Sequence, residues 1–282
     1  MLTILNSVNN DYYKWQTELF SFNQIKTYGE NAKNNCLIVL PKRNDPKEKK
    51  LDTFPWNINN KNILVNAYFD LKNIEIKHDP NLNPINIQTG LLQIIDDLDN
   101  EETIEILDCD MFHFKKSCLV EAKENEIIAC DVYENWHLKS MSDNINVISK
   151  YTNFKKDYYN GGFLPLIAKV KTFKKFIMDW ICIHHDISKN EKSDLIRWWG
   201  NMFAIQAACE INKIKMISKD IVYIPMANTI SDSHYVCHYS VDNKFNKHDF
   251  PNINTLCFEK NIFYERISSW LQYRNHQHLE PS

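Results

Sequence analysis

Short apolar runs alternate with amphipathic segments along the first half of the chain. The apolar runs have the length of strands and span Thr3 to Val8, Cys36 to Leu40, Ile63 to Ala67 and Thr103 to Leu107. We expect Pro41 to end the second of these strands, because proline has no N–H for a strand ladder. Strands that alternate with helices favour an α/β layer architecture.

Two segments of the first half have the periodicity of helices. Apolar residues recur at spacings of three and four behind Asp11, which stands where a helix N-cap would; they are Trp15, Leu19, Phe22 and Ile25. The segment Pro84 to Leu98 repeats the pattern. Both patterns predict helices that pack one apolar face on a sheet.

The second half begins with strand-like runs and continues with longer helical patterns. The predicted strands are Glu126 to Cys130, Ile145 to Ser149, Phe163 to Lys169 and Lys215 to Pro225. The predicted helices are Lys171 to His185, Ser193 to Lys213 and Asn261 to Arg274.

Composition and charge exclude several classes of protein. The 282 residues are 44% hydrophobic and 24% charged, within the range of ordinary globular proteins. The formal charge of −3 gives no field that would attract nucleic acid. No apolar stretch approaches the roughly 18 residues of a membrane-spanning helix, and the opening residues are too short and uncharged for a signal peptide. The 8 cysteines form no C-x-x-C pair, so we expect free thiols and a cytoplasmic protein.

Two acids follow the strand predicted at Thr103 to Leu107. They are Asp108 and Asp110, with Cys109 between them. In open α/β sheets ligands bind at the carboxyl ends of the strands, and residues i and i+2 of an extended chain point the same way. Two carboxylates on one side make a site for Mn²⁺ or Mg²⁺ that can bridge to a diphosphate. The alternative is an acidic strand end that caps a neighbouring helix.

A segment rich in histidine and lysine follows the last predicted strand. An imidazole there, at His238, could complete the coordination of a metal held by the two acids. Lys244 or Lys247 would neutralise the charge of a departing nucleotide. The alternative is an exposed loop.

Two further motifs are candidates for sugar contacts. Asn160, Gly161 and Gly162 place two of only five glycines at one point, which suits either close approach of backbone to a ligand or a plain turn. Arg197, Trp198 and Trp199 combine a cation with two indoles, which stack on sugar rings but are also common core residues.

The order of these motifs resembles that of nucleotide-sugar glycosyltransferases of the GT-A type. The Tyr12 to Thr17 segment resembles the Y-x-x-W-Q-T segment of plant peptidyl serine galactosyltransferases and hydroxyproline arabinosyltransferases, and Asp108 to Met111 is similar to their acidic strand end. His238 to Ser240 and Phe245 to Lys247 resemble their C-terminal H-Y and F-x-K elements, and also the ending of glycogenin-like enzymes.

The resemblance implies a GT-A-like, Rossmann-related α/β fold with a mixed, mainly parallel sheet flanked by helices. It implies one catalytic domain over residues 1–282. Residues 1–112 would form the nucleotide-binding half, 113–260 the sugar and acceptor half, and 261–282 a C-terminal helix.

The implied activity is metal-dependent transfer of a sugar from a nucleotide diphosphate donor, with UDP favoured, to a hydroxyl of a glycan, protein or lipid acceptor with retention of configuration. The metal, Mn²⁺ or Mg²⁺, would be held by Asp108, Asp110 and His238. The nucleotide would be held by Asn6, Ser7, Asn9, Tyr13, Gln16, Leu107, Asp108 and Cys109. The candidate catalytic residues are Asn160, Asp194, Lys244 and Lys247. The candidate sugar and acceptor residues are Gly161, Gly162, Arg197, Trp198 and Trp199.

Two other functions stay open at the level of sequence. A nucleotidyltransferase on sugar phosphates also uses strand-end acids and a divalent metal, but it would need a third metal-facing carboxylate. A non-catalytic carbohydrate-binding protein on the same fold would have no need of an intact pair of acids. For Asp194, a first-turn acid that stabilises a helix N-terminus is an equal alternative.

Overall fold

A computed structural model describes residues 1–7, 11–29, 32, 36–42, 61–66, 68–71, 74–77, 83–117, 122–130, 139, 141–153, 162–225, 229–239 and 262–277. The strands are β1 Leu2–Asn6, β2 Cys36–Lys42, β3 Lys61–Asn66, β4 Tyr68–Leu71, β5 Ile74–Lys77, β6 Thr103–Leu107, β7 Met111–His113, β8 Glu126–Cys130, β9 Phe163–Lys169, β10 Lys215–Lys219, β11 Val222–Tyr223 and β12 Val236–His238. The α-helices are α1 Asp11–Tyr28, α2 Asn83–Ile94, α3 Asn146–Ser149, α4 Val170–Asn190, α5 Asp194–Trp198, α6 Gly200–Ile211 and α7 Ile262–Gln277.

A seven-stranded mixed sheet in the order β10-β8-β9-β6-β1-β2-β3 is the centre of the fold. Strands β6, β1, β2 and β3 run parallel to one another, as do β10 and β8. Strand β9 is antiparallel to both β6 and β8. The predicted mixed, mainly parallel sheet with flanking helices is therefore confirmed.

The middle of the sheet is covered on both faces, and its strands read as continuous apolar runs for that reason. Every residue of β1 and β6 is buried. Helix α4 carries a wide buried face that includes Phe173, Phe176 and Trp180. Trp180, Trp199 and Trp270 are among the largest side chains that are fully buried. The core therefore fixes β1 and β6, whose carboxyl ends carry the candidate nucleotide and metal residues.

A second sheet has three strands in the order β11-β12-β7. Strand β12 is antiparallel to β7 and parallel to β11. Neither β7 nor β12 was predicted from sequence, since three-residue strands leave no readable period. The predicted strand Lys215 to Pro225 is two strands, because β10 belongs to the large sheet and β11 to the small one.

Three other predicted elements differ from the structure. Ile145 to Ser149 was predicted as a strand but contains helix α3, in which Val147 and Ile148 are buried; a short β-branched run suits a buried helix turn as well as a strand. The helix predicted over Ser193 to Lys213 is two helices, with Trp199 as the C-cap of α5 and the N-cap of α6.

Strand β2 continues through Pro41 to Lys42 instead of ending before the proline. Its pairing with β1 ends at Val39, while its pairing with β3 extends to Lys42. Pro41 pairs with Val65 of β3 and has lost the second neighbouring strand, so its missing N–H costs no bond on that side. Within the described residues, no helix is long and apolar enough to cross a membrane.

Candidate metal and nucleotide site

The two candidate acids lie on a tight turn that joins β6 to β7. The backbone N–H of Met111 donates to the carbonyl oxygen of Asp108 over 3.1 Å, so Asp108 to Met111 form a β-turn. Asp108 Oδ1 also accepts from the backbone N–H of Cys109 over 2.8 Å, as short acidic side chains commonly do in turns. The extended geometry predicted for the two acids is therefore wrong, because the strand ends at Leu107 and the chain reverses.

The ladder between β7 and β12 brings His238 to this turn. His238 is paired with Met111, and the backbone N–H of Tyr239 donates to the carbonyl oxygen of Asp110 over 3.1 Å. The Tyr239 hydroxyl donates to the carbonyl oxygen of Cys109 over 3.3 Å. The C-terminal histidine segment and the acidic strand end are therefore one site.

Asp110 and His238 are in direct contact and largely buried. His238 Nε2 lies 3.2 Å from Asp110 Oδ1, and their side chains are 14% and 10% exposed. Burial raises the pKa of Asp108, the negative charge of Asp110 raises it further, and His238 opposes the rise. The turn thus concentrates two carboxylates beside one imidazole, with more negative charge than the imidazole offsets.

The candidate metal ligands meet at this turn, but they are not arranged around one common point. Among the residues that the structure describes, no three histidine, cysteine, aspartate or glutamate side chains already stand as ligands around one point. The contact between His238 and Asp110 occupies the imidazole nitrogen that would face a cation.

One candidate nucleotide residue, Asn6, lies beside this turn. Leu5 of β1 pairs with Leu107 of β6, so Asn6 and Asp108 follow on adjacent parallel strands. Asn6 is buried, and neither its Oδ1 nor its Nδ2 has a hydrogen-bond partner among the described residues. Buried polar groups are nearly always paired, so an orphaned amide at this edge is a feature to explain.

Helix α1 closes the other side of the same edge. The hydroxyl oxygens of Ser7 and Thr17 lie 2.6 Å apart, and Thr17 donates to the carbonyl oxygen of Tyr13 over 2.9 Å. Gln16 is buried, while Tyr13 is half-buried. The strand end and the first turns of α1 are therefore tied together, as the sequence hypothesis for a nucleotide site requires.

The candidate sugar residues on α5 and α6 do not share one surface. Trp198 is 57% exposed, whereas Trp199 is fully buried. Asp194 pairs with Arg197 one turn along α5, and both are exposed. Trp199 is thus a core residue in this structure and presents no face to a sugar.

The remaining predicted site residues are Gly162, which the structure describes, and others that it does not describe. Gly162 precedes β9 with a φ of +107°, a conformation that favours glycine and accords with a turn into the strand. Asn9, Asn160, Gly161, Lys244 and Lys247 lie outside the described residues. His234 does not join the acids, since its Nε2 lies 2.7 Å from Asp220 Oδ1.

A buried polar network beneath the turn was missed by the sequence reasoning. Glu105 in the middle of β6 and His113 at the end of β7 are both fully buried, and His113 Nε2 lies 2.8 Å from Glu105 Oε2. Tyr235 donates its hydroxyl to Glu105 Oε1 over 2.7 Å. The available signal was a charged residue inside an apolar strand, because a charge in a strand buried on both faces needs a partner.

No protein-family model and no curated protein matches this chain. Among solved structures, an active-site mutant of LgtC is 12% identical, with 95% of this chain and 96% of that chain covered at a TM-score of 0.50. The galactosyltransferase LgtC in complex with donor and acceptor sugar analogs is 11% identical, with 86% and 87% covered at a TM-score of 0.47. The glycosyltransferase GlyE of Streptococcus pneumoniae TIGR4 is 10% identical, with 99% and 65% covered at a TM-score of 0.48.

The first of these matches concerns the fold, since it spans nearly the whole of both chains at low identity. Its mixed α/β architecture is the one seen here, with a central mixed sheet between helices. The chain therefore has the GT-A-like fold that its motifs predict.

Proposed function

We propose that this protein is a metal-dependent glycosyltransferase that moves a sugar from a nucleotide diphosphate donor to an acceptor hydroxyl. The observation that carries the proposal is the meeting of Asp108, Asp110 and His238 at the carboxyl edge of β6. Ligands of open α/β sheets bind at this edge. The similar fold of LgtC, whose galactosyltransferase structure holds donor and acceptor sugar analogs, supports the same kind of chemistry.

The donor set fits a divalent cation. Two carboxylates and an imidazole are ligands that Mn²⁺ accepts, and Mg²⁺ is bound chiefly through the carboxylates. Burial, and after it the negative charge of Asp110, raises the pKa of Asp108; a cation between the two carboxylates would offset that repulsion. When bound, the ion would supply charge neutralisation of the diphosphate and Lewis-acid assistance to the leaving group.

The orphaned amide of Asn6 supports a nucleobase beside the acids. A carboxamide offers one donor and one acceptor in a plane, and an edge such as N3–H and O4 of uracil offers the complementary pair. Asn6 would thereby gain both partners that it lacks among the described residues. Guanine and cytosine offer equivalent pairs, so UDP is favoured by the resemblance stated above and not by Asn6. Ser7, Asn9, Tyr13 and Gln16 complete the proposed nucleotide pocket.

The remaining assignments belong to the proposal as predictions. Lys244 or Lys247 would stabilise the departing diphosphate. Asn160, Gly161 and Gly162 would face the donor sugar or the acceptor, together with exposed Trp198, and Asp194 would be a sugar-binding carboxylate. Retention of configuration, a hexosyl or pentosyl donor and the resemblance to the plant peptidyl enzymes likewise stay predictions, as does a cytoplasmic location.

Within the part of the chain that the structure describes, nothing supports a nucleotidyltransferase at this site. That chemistry needs a third carboxylate facing the metal, and Glu105 lies on β6, the strand that leads to the two acids. Glu105 is fully buried and contacts Tyr235 and His113 instead. Glu105 is therefore not free to serve as that ligand.

Calorimetric titration of UDP, GDP and CDP, each with Mn²⁺ and with EDTA, tests the proposal. We expect UDP to bind with Mn²⁺ and to lose most of its affinity in EDTA. Release of UDP from UDP-glucose, UDP-galactose and UDP-xylose then tests catalysis. Binding without release from any donor would favour a non-catalytic protein, and no nucleotide binding under either condition would overturn the assignment of the two acids.

A further inference from the structure

We propose that Glu105 is a positioning residue that holds the three segments carrying Asp108, Asp110 and His238 in register. The inference rests on the proposed function, since it concerns the same metal and diphosphate site. Glu105 itself is fully buried, and its carboxylate contacts the two segments that lead to His238 and away from Asp110.

Glu105 belongs to the segment of chain that leads to Asp108. Glu105 lies on β6, which ends one residue before that acid. Thr3 on the neighbouring strand β1 donates its hydroxyl to Glu105 Oε2 over 3.4 Å. The carboxylate is thus fixed to the two parallel strands whose ends form the candidate nucleotide and metal site.

Glu105 also contacts the segment of chain that follows Asp110. His113 ends β7, the strand that begins directly after that acid, and its Nε2 lies 2.8 Å from Glu105 Oε2. The other ring nitrogen, Nδ1, lies 2.7 Å from Gln24 Nε2 of α1. An amide nitrogen donates, so Nδ1 accepts and the proton of a neutral ring stands on Nε2; that nitrogen lies close to Glu105 Oε2 without forming an aligned hydrogen bond with it.

Glu105 further contacts the segment of chain that leads to His238. Tyr235 directly precedes β12, and its hydroxyl donates to Glu105 Oε1 over 2.7 Å. Its ring stacks on His113 with centroids 5.6 Å apart, and Tyr28 meets the same imidazole edge-on at 5.4 Å. Burial and the negative charge of Glu105 raise the pKa of Tyr235, so the phenol keeps its proton and remains a donor.

The three contacts reach both sides of the turn and the strand that faces it. The distance between Asp108 and Asp110 depends on the base of the β6 to β7 connection, where Glu105 meets His113. The approach of His238 depends on β12, whose entry Tyr235 fixes. Glu105 acts through His113 and Tyr235 and not through a bond to a proposed ligand, so its removal should change metal affinity by no more than the low end of the about 10- to 100-fold that partners bonded to a ligand typically give.

The test compares Glu105→Gln with Tyr235→Phe and with His184→Gln as a matched control. Glutamine keeps the size of Glu105 and an acceptor for Tyr235, but it removes the negative charge beside His113 Nε2. Tyr235→Phe keeps the stacked ring and removes only the donor. His184 is a fully buried member of another polar network, 3.0 Å from Gln88 Nε2, in the helical layer.

Mn²⁺ binding in the presence of UDP is measured from the EPR signals of free and bound Mn²⁺. Urea unfolding measures the stability of each variant. We expect the dissociation constant of Mn²⁺ to rise by up to about tenfold in Glu105→Gln and by less in Tyr235→Phe, with a broadened signal of the bound ion. His184→Gln should bind Mn²⁺ like the wild type even where it unfolds at less urea.

The outcomes separate the two proposals. A wild type that binds no Mn²⁺ with UDP overturns the proposed function and the role of Glu105 with it. A wild type that binds Mn²⁺, with unchanged affinity in both Glu105→Gln and Tyr235→Phe, overturns the positioning role alone. Equal losses in Glu105→Gln and His184→Gln would make the effect one of general stability. If Glu105→Gln does not fold, Tyr235→Phe decides.

Discussion

His238 Nε2 and Asp110 Oδ1 lie 3.2 Å apart because two short strands pair across the chain. The backbone bond from Tyr239 to Asp110 fixes this approach at the level of the main chain, before any side chain is considered. Under the proposed function, a cation at this turn would compete with the contact between the two side chains.

The variant Asp110→Asn tests the acid at the centre of the site. It removes one of the two negative charges at nearly unchanged size, so the affinity for UDP with Mn²⁺ should fall to the value measured in EDTA. The loss should exceed the about 10- to 100-fold expected for His238→Ala, because the carboxylate also offsets the charge of the cation. Calorimetry with and without Mn²⁺ measures the loss.

Asp96→Asn is the matched control, because Asp96 is 90% exposed and pairs only loosely with Lys174 at 3.4 Å. Its UDP affinity should equal that of the wild type. Both variants should show cooperative thermal unfolding. An Asp110→Asn protein that has lost its cooperative transition would make Asp110 a structural residue instead.

The variant His238→Ala tests the imidazole separately from the carboxylates. We expect Mn²⁺ affinity to fall by about one to two orders of magnitude, with some binding retained by the two acids. His185→Ala, a half-buried position on α4, is the matched histidine control. Competition of Mn²⁺ with a fluorescent chelator measures both constants, and an unchanged constant in His238→Ala would remove that residue from the site.

The variant Asn6→Leu should separate stability from binding. Its amide is buried without partners among the described residues, and leaving a buried polar group unpaired costs about 1–3 kcal/mol. An apolar side chain of similar size should therefore leave the free energy of unfolding equal or higher. The same change should weaken UDP by tenfold or more, because the proposed contacts with the base are lost.

Urea unfolding and calorimetry on the same preparation test this pair of effects. Thr17→Val is a useful comparison, since it removes the hydroxyl that contacts Ser7 and the Tyr13 carbonyl. That variant should lose stability, because its removed group has partners. A destabilised Asn6→Leu with wild-type UDP affinity would show that the amide serves the fold.

The sheet was predictable from sequence where its strands are long, apolar and buried on both faces. The bounds predicted for β6, β8 and β9 match those observed. Strand β12 was not predictable, because Val236 to His238 form a strand only through their pairing with β7. Residue type alone therefore made His238 a candidate, and tertiary pairing decided its place beside Asp110.

The buried network of Glu105, His113 and Tyr235 could not be predicted from the sequence. Glu105 interrupts an apolar strand, but its partners His113 and Tyr235 come from segments whose strands are too short to recognise. Trp199 shows a related limit, since an indole beside an arginine suits a sugar platform and a core position equally well. Only burial distinguishes exposed Trp198 from its neighbour.

The variant Gly200→Ala should destabilise the helical layer. A Cβ at this position would lie 3.0 Å from Ile187 Cγ2 and 3.2 Å from His184 Cδ2, both in the tightly packed core. Forcing a methyl group into such packing costs about 1–3 kcal/mol. The urea midpoint should fall accordingly, with UDP affinity unchanged.

Gly29 provides the contrasting case. Its φ is +68° and a Cβ there would meet no atom of the described residues within 4 Å, so its substitution costs backbone strain rather than a clash with them. Asparagine tolerates this conformation, whereas no side chain relieves the crowding at position 200. Gly29→Asn should therefore be milder than Gly29→Ala, and Gly200→Asn harsher than Gly200→Ala. The reverse order at either position would contradict the assignment.

Acid stability should depend on His184. Burial lowers the pKa of His184 to about 3, with a smaller contribution from the charge of His185, against about 6.5 in the unfolded chain. Above pH 6.5 both states leave the ring neutral, and the network with Gln88 contributes its full stability. Between pH 6.5 and 3 the unfolded chain binds a proton that the folded protein does not, so stability falls as the pH is lowered.

The slope identifies the group. One proton corresponds to about 1.4 kcal/mol per pH unit, so the free energy of unfolding of the wild type should fall faster than that of His184→Gln from pH 6.5 to 4.5, and the two should run parallel above pH 7. Gln88→Leu breaks the same hydrogen bond without changing the number of protons, and its curve should lie below that of the wild type at the same slope. Urea unfolding at half-unit steps of pH measures all three curves. Parallel curves for the wild type and His184→Gln throughout would show that His184 is protonated equally in the folded and unfolded states, and would assign the acid sensitivity to the carboxylates.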